Sequence, residues 1–365
     1  MPLGGERRSL LDGERAGGVT MTYFAGLDVG LEETAICIID SNGRIVRELK
    51  ACSEPEVLVG ALRALDVHYG RVGLEACPLS SWLFEGLAAA GLPVVCLEVR
   101  HLRAALAAMT HKTDRNDARG IAQVLRTGWF KAVHVKTAWS RERRTLLTAR
   151  KRMLEQAFDV ENTIRGLLKG HGLKVGRVTR RTFAPRVREL VAAIPVLAAA
   201  IEPLLTALAT LRKSFTELHR QVLAVTRIDP VSRRLMTVPG IGAVTALAYC
   251  SAVDIPERFP RSRAVGAHFG LVPRKYQSGT TDRNGRITKA GDAMVRTALY
   301  EAANVLLTRV TRWSSLKAWA VRLAQRIGGK RAKVALARKL AVILHRIWID
   351  GTTFTWTRER AMAVI

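Results

Sequence analysis

Tyr23-Phe-Ala-Gly-Leu-Asp28-Val-Gly30 and Thr34-Ala-Ile-Cys-Ile-Ile-Asp40 are the two runs that decide the fold class. Both are short, apolar and rich in aromatic or β-branched residues, which reads as strand. Ser41-Asn42-Gly43 follows as a tight turn, and Arg44-Ile-Val-Arg-Glu-Leu49 reads as the returning strand of an antiparallel meander. Outward from there, Val57, Leu58, Ala61, Leu62 and Leu65 line one side of a helix over about Pro55 to His68. A strand over Arg71 to Ala76, a helix over Ser81 to Ala90 and a strand over Pro93 to Glu98 come next. Two further helices are expected, one over about Arg100 to Met109 and one ending near Leu125. The order βββαβαβα predicts an α/β layer on a mixed sheet.

This order brings acids towards one another. Asp28 lies within an apolar strand, where an unpaired carboxylate is strongly disfavoured and asks for a compensating cation. Glu75 closes the strand after the meander. In His111-Lys112-Thr113-Asp114-Arg115-Asn116-Asp117-Ala118, two carboxylates three residues apart share one helix face, between the cations Lys112 and Arg115. One reading of that octapeptide is a helix start, with Thr113 as N-cap and both acids favoured by the helix dipole. The other is a divalent-metal site beside a phosphate. Taken singly, each acid fits the ordinary reading better. Taken together, Asp28, Glu75, Asp114 and Asp117 favour an oxygen-rich site for Mg²⁺.

Charge supplies the substrate class. The 365 residues carry 58 Lys+Arg against 31 Asp+Glu, a net +27. Residues 1–120 hold 13 basic and 16 acidic residues, so the whole excess lies in the remainder, and no Asp or Glu occurs between Ala302 and Ile349. A basic surface confined to part of a chain points to a polyanion, with nucleic acid ahead of an anionic membrane surface. No run approaches the roughly 18–20 apolar residues of a membrane span. The longest, Leu190 to Ile201, is short and contains Pro195. The first twenty residues lack an apolar signal core and are expected to be a disordered extension, with Met21 as an alternative start. Five scattered cysteines with no CxxC pair fit a reducing cytosol and argue against structural zinc. The expected location is cytoplasmic, with the nucleoid.

Beyond residue 136 the pattern is helical. Arg141, Arg143, Arg144, Arg150, Lys151 and Arg152 crowd one helical segment, and Gly170 to Pro185 is a basic turn. A second long helical pattern runs from Arg186 to about Thr226, with interruptions expected at Pro195 and Pro203. Together they predict a helical hairpin or coiled-coil arm. Val238-Pro-Gly240-Ile-Gly242 reads as a helix-hairpin-helix turn, whose glycines let backbone N–H groups approach a phosphate. Ser278-Gly279 is expected in a mobile loop among Arg274, Lys275, Arg283, Arg286 and Lys289. A hydroxyl there could attack a phosphodiester, but no His–Asp pair is placed to activate it. The residues alone favour a phosphate-contacting serine. A basic amphipathic stretch with Trp313, Trp319 and Trp348 completes the chain.

From Met21 onward these residues resemble the DEDD-type transposases of the IS110 class, related to the Piv DNA invertases. Gly26-Leu-Asp28-Val-Gly30, Leu74-Glu75-Ala76 and Lys112-Thr-Asp114-Arg-Asn-Asp117-Ala118 match their RuvC-like, RNase H-fold domain. Val238 to Gly242, Gly270-Leu-Val-Pro273, Ser278-Gly279 and Gly285-Arg286-Ile-Thr-Lys289 match their second domain. The resemblance implies that Asp28, Glu75, Asp114 and Asp117 bind Mg²⁺ and that Ser278 forms a covalent phosphoserine link to DNA. It also implies a homo-oligomer, dimer or tetramer, with acids and serine from different subunits, and a non-coding bridge RNA that pairs with target and donor DNA. Lys112, Arg115, Gly240, Gly242, Arg274, Lys275, Arg283, Arg286 and Lys289 are the expected nucleic-acid contacts. Ala290 stands where the family commonly has another basic residue.

The expected organisation is a RuvC-like α/β domain over 21–135, a helical arm over 136–228 and a mainly helical domain over 229–365. The expected activity is Mg²⁺-dependent recombination of an insertion sequence. The competing readings are a RuvC-like junction-resolving nuclease and a non-catalytic nucleic-acid-binding protein.

Overall fold

The computed structural model describes residues 21–107 and 111–356. The expected N-terminal extension and the Met109 end of one expected helix lie outside them. The chain divides into two compact units, the first ending at Lys136 and the second starting at Thr137.

The first unit is the α/β layer. Its strands are β1 (Tyr23–Val29), β2 (Glu33–Ile39), β3 (Ile45–Cys52), β4 (Tyr69–Glu75) and β5 (Val94–Leu97), interleaved with α1 (Pro55–Arg63), α2 (Ser80–Ala89), α3 (Val99–Leu106) and α4 (Asp114–Thr127). The sheet order is β3-β2-β1-β4-β5. β1, β2 and β3 pair antiparallel as the expected meander, while β4 and β5 continue parallel to β1.

Strand periodicity of two sorts the residues between the faces. Ala25 and Leu27 of β1 join Ile36, Ile38, Val72 and Leu74 in a core closed by Leu58 and Leu62 of α1 and Leu83 and Leu87 of α2. The opposite face receives α4: Ala118 and Ala122 pack on Ala35, Cys37 and Ile39 of β2. That approach is close enough to require glycine beneath it. A Cβ at Gly26 would lie 2.5 Å from the Ala122 backbone nitrogen and would overlap the Ala118 carbonyl. At Gly73 a Cβ would lie 2.5 Å from Leu125 Cδ1.

The second unit is helical. Two long helices, α5 (Ala138–Gly170) and α7 (Pro195–Ile228), flank the shorter α6 (Phe183–Val191). Ile164, Leu168, Phe183, Val187, Ile201 and Leu205 hold the three together. The chain breaks before Pro195 as expected, but Pro203 lies inside α7. Pro203 sits on an exposed face, where water can take the carbonyl that its missing N–H leaves free. α7 is also long and apolar enough, by length and composition, to cross a membrane, contrary to the expectation that no segment is. Leu197, Ile201, Leu205 and Leu208 are buried in the core that α7 shares with α5 and α6, while most of its apolar stretch is not buried.

Beyond the arm come α8 (Pro230–Leu235), α9 (Ala243–Val253), a 3₁₀ turn at Pro256–Arg258, α10 (Arg263–His268), the strands β6 (Pro273–Ser278) and β7 (Thr281–Ile287), then α11 (Ala293–Thr308), α12 (Ser315–Ile327) and α13 (Gly329–Asp350). Their core is built on α9, buried through Val253, against Leu299, Ala303 and Leu306 of α11 and Leu336, Leu340 and Leu344 of α13. Leu147 of α5 and Val222 of α7 belong to the same core, so the base of the arm is continuous with it.

Candidate active site

Asp28 follows Leu27 in β1 and Glu75 follows Leu74 in β4, and Leu27 is the register partner of Leu74. The two acids therefore stand side by side at the carboxyl ends of adjacent parallel strands. By the alternation set by Gly26 and Gly73, both face α4. α4 begins at Asp114, and its N-cap is Thr113, whose hydroxyl accepts from the Asn116 N–H at 3.2 Å. Asp114 and Asp117 occupy the first turn. The helix-start reading holds for the octapeptide.

The electrostatics follow from this convergence. Burial pushes the Asp28 carboxyl up to about 6, and the charges of Asp117, Asp114 and Glu75 push in the same direction against Lys112. Burial also raises Glu75, with Arg103 and Lys112 opposing and Asp117 assisting. Among the described residues no three Asp, Glu, His or Cys side chains stand close enough to share one ion. Like-charged carboxylates repel, and Asp114, the most exposed of the four, lies 3.8 Å from Lys50 Nζ. Beside the acids is a cavity of about 300 Å³ lined by Glu75, Asp117, Arg103, His111 and Lys112.

Arg115, an expected nucleic-acid contact, has a partner within the unit. Glu48 of β3 accepts from Arg115 Nε at 2.8 Å and Arg119 Nε at 2.5 Å, with further bonds from both guanidinium groups. These bonds hold its carboxyl down to about 2. The clamp fixes the start of α4 to the meander. The sequence carries no local signal for it, since Glu48 and Arg119 are 71 residues apart. Arg103 and His111 were likewise missed, because each reads as an ordinary polar residue beside a helix.

Ser278 is not in a loop: it ends β6, pairs with Thr281 of β7, and precedes a tight turn in which Gly279 has φ +52°. Tyr276, Gln277, Thr280 and Thr281 supply the strand preference that the flanking glycines and cations mask. Every residue of β6 is exposed. Among the described residues the Ser278 hydroxyl has no hydrogen-bond partner. Lys275 pairs with Asp282 at 3.2 Å, and the Arg283 guanidinium lies 5.5 Å from the Tyr276 ring centre. Arg274, Arg286 and Lys289 have no ion-pair partner among the described residues, and Lys289 takes a left-handed φ of +55°. Gly270 lies against the next turn, so close that a Cβ would overlap Ala290.

In the helix-hairpin-helix turn, Gly240, at φ +87°, is packed against α11, where a Cβ would lie 2.5 Å from the Ala302 carbonyl oxygen, so that contact alone already requires glycine. Gly242, the N-cap residue of α9, is exposed with open space around it.

Residues 25–172 match a transposase family of the DEDD type, and residues 232–319 match the transposase IS116/IS110/IS902 family. The transposase of insertion sequence IS1111A from Coxiella burnetii is 30% identical over 336 residues, covering 90% of both chains. A probable family 20 transposase of Pseudomonas aeruginosa is 28% identical, covering 78% of this chain and 85% of its own. The pilin gene-inverting protein of Moraxella bovis is 28% identical over 142 residues, covering 37% of this chain and 43% of its own. Thermus thermophilus RuvC matches 31% of this chain at 14% identity and a TM-score of 0.23, covering all of its own chain. At that score the likeness adds nothing to the strand order. The chain belongs to the IS116/IS110/IS902 family of transposases, with a DEDD-type transposase domain at its N-terminal side.

Proposed function

We propose that this transposase moves an insertion sequence by Mg²⁺-dependent, RNA-guided DNA recombination through a covalent phosphoserine intermediate. The observation that carries the reading is the placement of Asp28 and Glu75 on adjacent strand ends facing the helix turn of Asp114 and Asp117. A donor set of four carboxylates and no thiol or imidazole suits a hard cation. The raised Asp28 carboxyl fits such a role, since a divalent cation offsets both the burial and the neighbouring acid charges that raise it. When bound, Mg²⁺ supplies charge neutralisation at the scissile phosphate and polarises its oxygens.

The chain's own residues do the rest. The hydroxyl of Ser278 attacks phosphorus. An Oγ–P ester bond forms as one P–O ester bond of the DNA backbone breaks. The serine proton is given up and the departing DNA oxygen ends protonated, so no co-reactant is consumed. Arg274, Arg286 and Lys289 hold the phosphates beside the hairpin, while Lys112 and Arg103 balance charge beside the acids. The bridge RNA reads sequence by pairing, and the basic second unit holds backbone and shape. The chain acts as a homo-oligomer whose arm spans residues 136–228, between a catalytic domain over 21–135 and a C-terminal domain over 229–365.

One observation favours the nuclease reading: no described side chain bonds to Ser278 to take its proton. Ser278→Ala separates the two. Under the proposal it abolishes strand exchange and any covalent protein–DNA adduct while leaving metal binding unchanged. A variant that cleaves at the wild-type rate leaves Ser278 as a phosphate contact and the acids as a hydrolytic site.

A further inference from the structure

Lys289 and Arg286 do more than flank the serine. With Arg263 of α10 and Arg331, Arg338 and Lys339 of α13, they surround a cleft of about 1460 Å³. One wall is the returning limb of the hairpin that carries Ser278, from Asn284 to Lys289. The cleft's rim and floor differ in chemistry. All six cations are exposed, and none is ion-paired among the described residues. No carboxylate lines the cleft. The floor is apolar and half-buried, made of Ile287, Trp319, Ile327, Val334 and Val342. Lys339 Nζ lies 4.1 Å from the Trp319 ring centre, and Arg338 lies across α10, where a Cβ at Gly266 would meet its Cγ at 3.0 Å.

A duplex presents phosphates outward and keeps its bases stacked inside, so it leaves an apolar floor unused. A single strand offers both a charged edge and bare bases, and aromatic side chains take those bases with little sequence preference. We propose that this cleft binds unpaired DNA, with phosphates on the cationic rim and a base on Trp319. The inference rests on the reading of Ser278 as the residue that links to DNA, because the strand in the cleft lies along the hairpin that carries it. The cleft then holds the strand that the serine acts on in melted form.

The test uses the full chain at fixed salt, with fluorescently labelled oligothymidylate and a duplex of equal length. Trp319→Ala is expected to weaken the oligothymidylate about tenfold and to leave the duplex within about twofold, whereas Trp319→Phe keeps most of the affinity. Equal losses on both probes, or no loss on either, overturn the proposal. So does an oligouridylate of equal length that binds the wild type more tightly than oligothymidylate. Trp319 also packs against the core, so a second readout uses the wild-type protein. Irradiation with an iododeoxyuridine oligomer should crosslink the tryptic peptide spanning residues 318–322. A crosslink confined to other peptides overturns the cleft. Absence of a covalent adduct at Ser278 with this crosslink intact counts against the serine reading alone.

Discussion

The acid cluster and the serine hairpin solve opposite problems. Asp28 and Glu75 are half-buried at the ends of a sheet, and their position needs pairing across β1 and β4 and the pressing of α4 onto Gly26. Ser278 stands near the tip of a two-stranded ribbon, exposed along its whole first strand. Under the proposed function, a metal site demands that like charges be forced together, and the fold would bear that repulsion. A hydroxyl proposed to join a DNA strand demands reach, and a ribbon provides it with little core. Substitutions in the first region should therefore move stability, metal binding and chemistry together. In the second they should move chemistry with little change in stability.

The largest effects test that contrast directly. Asp28→Asn and Ser278→Ala should each lower strand exchange by about a thousandfold or more, scored on a plasmid substrate. Only the first should also weaken Mg²⁺ binding. If both variants bind the metal equally well, Asp28 is not a ligand. Next in size is the helix–sheet contact. Gly26→Ala should cost about 3 kcal/mol or more, because the new Cβ meets backbone on the facing helix, and urea denaturation reads the loss. The matching change at Gly279, where no atom lies within 4 Å of an added Cβ, should cost about 1 kcal/mol from its positive φ alone.

A third comparison concerns pH. The folded Asp28 carboxyl, at about 6, is raised above its ordinary 3.8, so the native state binds its proton more tightly than the unfolded chain. Stability from that group is full below about pH 4 and is lost as pH rises through 6. Without metal, Asp28→Asn should then be more stable than the wild type at pH 7, by on the order of 1 kcal/mol, although it is inactive. Adding Mg²⁺ should stabilise the wild type and not the variant. The opposite sign appears at Glu48, whose carboxyl is held near 2 by Arg119 and Arg115. Its contribution is present above its ordinary 4.5 and disappears as pH falls through 2. Glu48→Gln should lower the melting temperature slightly at pH 7 and not at pH 2, the smallest effect of the set.

How far these regions were legible in the sequence follows the same division. The meander, the later strands and the start of α4 could be read because hydrophobic period and capping residues are local. The facing of Asp28 towards α4 follows from alternation with Leu27, which is also local. The Glu48 clamp and the packing of Gly240 on α11 were not legible, since each joins residues more than 60 positions apart. The hairpin was hidden for another reason. Its glycines and cations are those of a loop, and an exposed ribbon buries too little apolar surface to show the alternation of a strand. Pro203 misled because a proline on a solvated helix face is tolerated where a buried one is not.

The most direct measurement is trapping of the protein–DNA adduct, with the modified residue located by mass spectrometry, in the presence and absence of Mg²⁺. The account predicts a phosphoserine-linked DNA end at Ser278 in the wild type with Mg²⁺, none in Asp28→Asn, and none in Ser278→Ala. Cleaved DNA with free ends and no adduct, or an adduct that persists in Ser278→Ala, would contradict it.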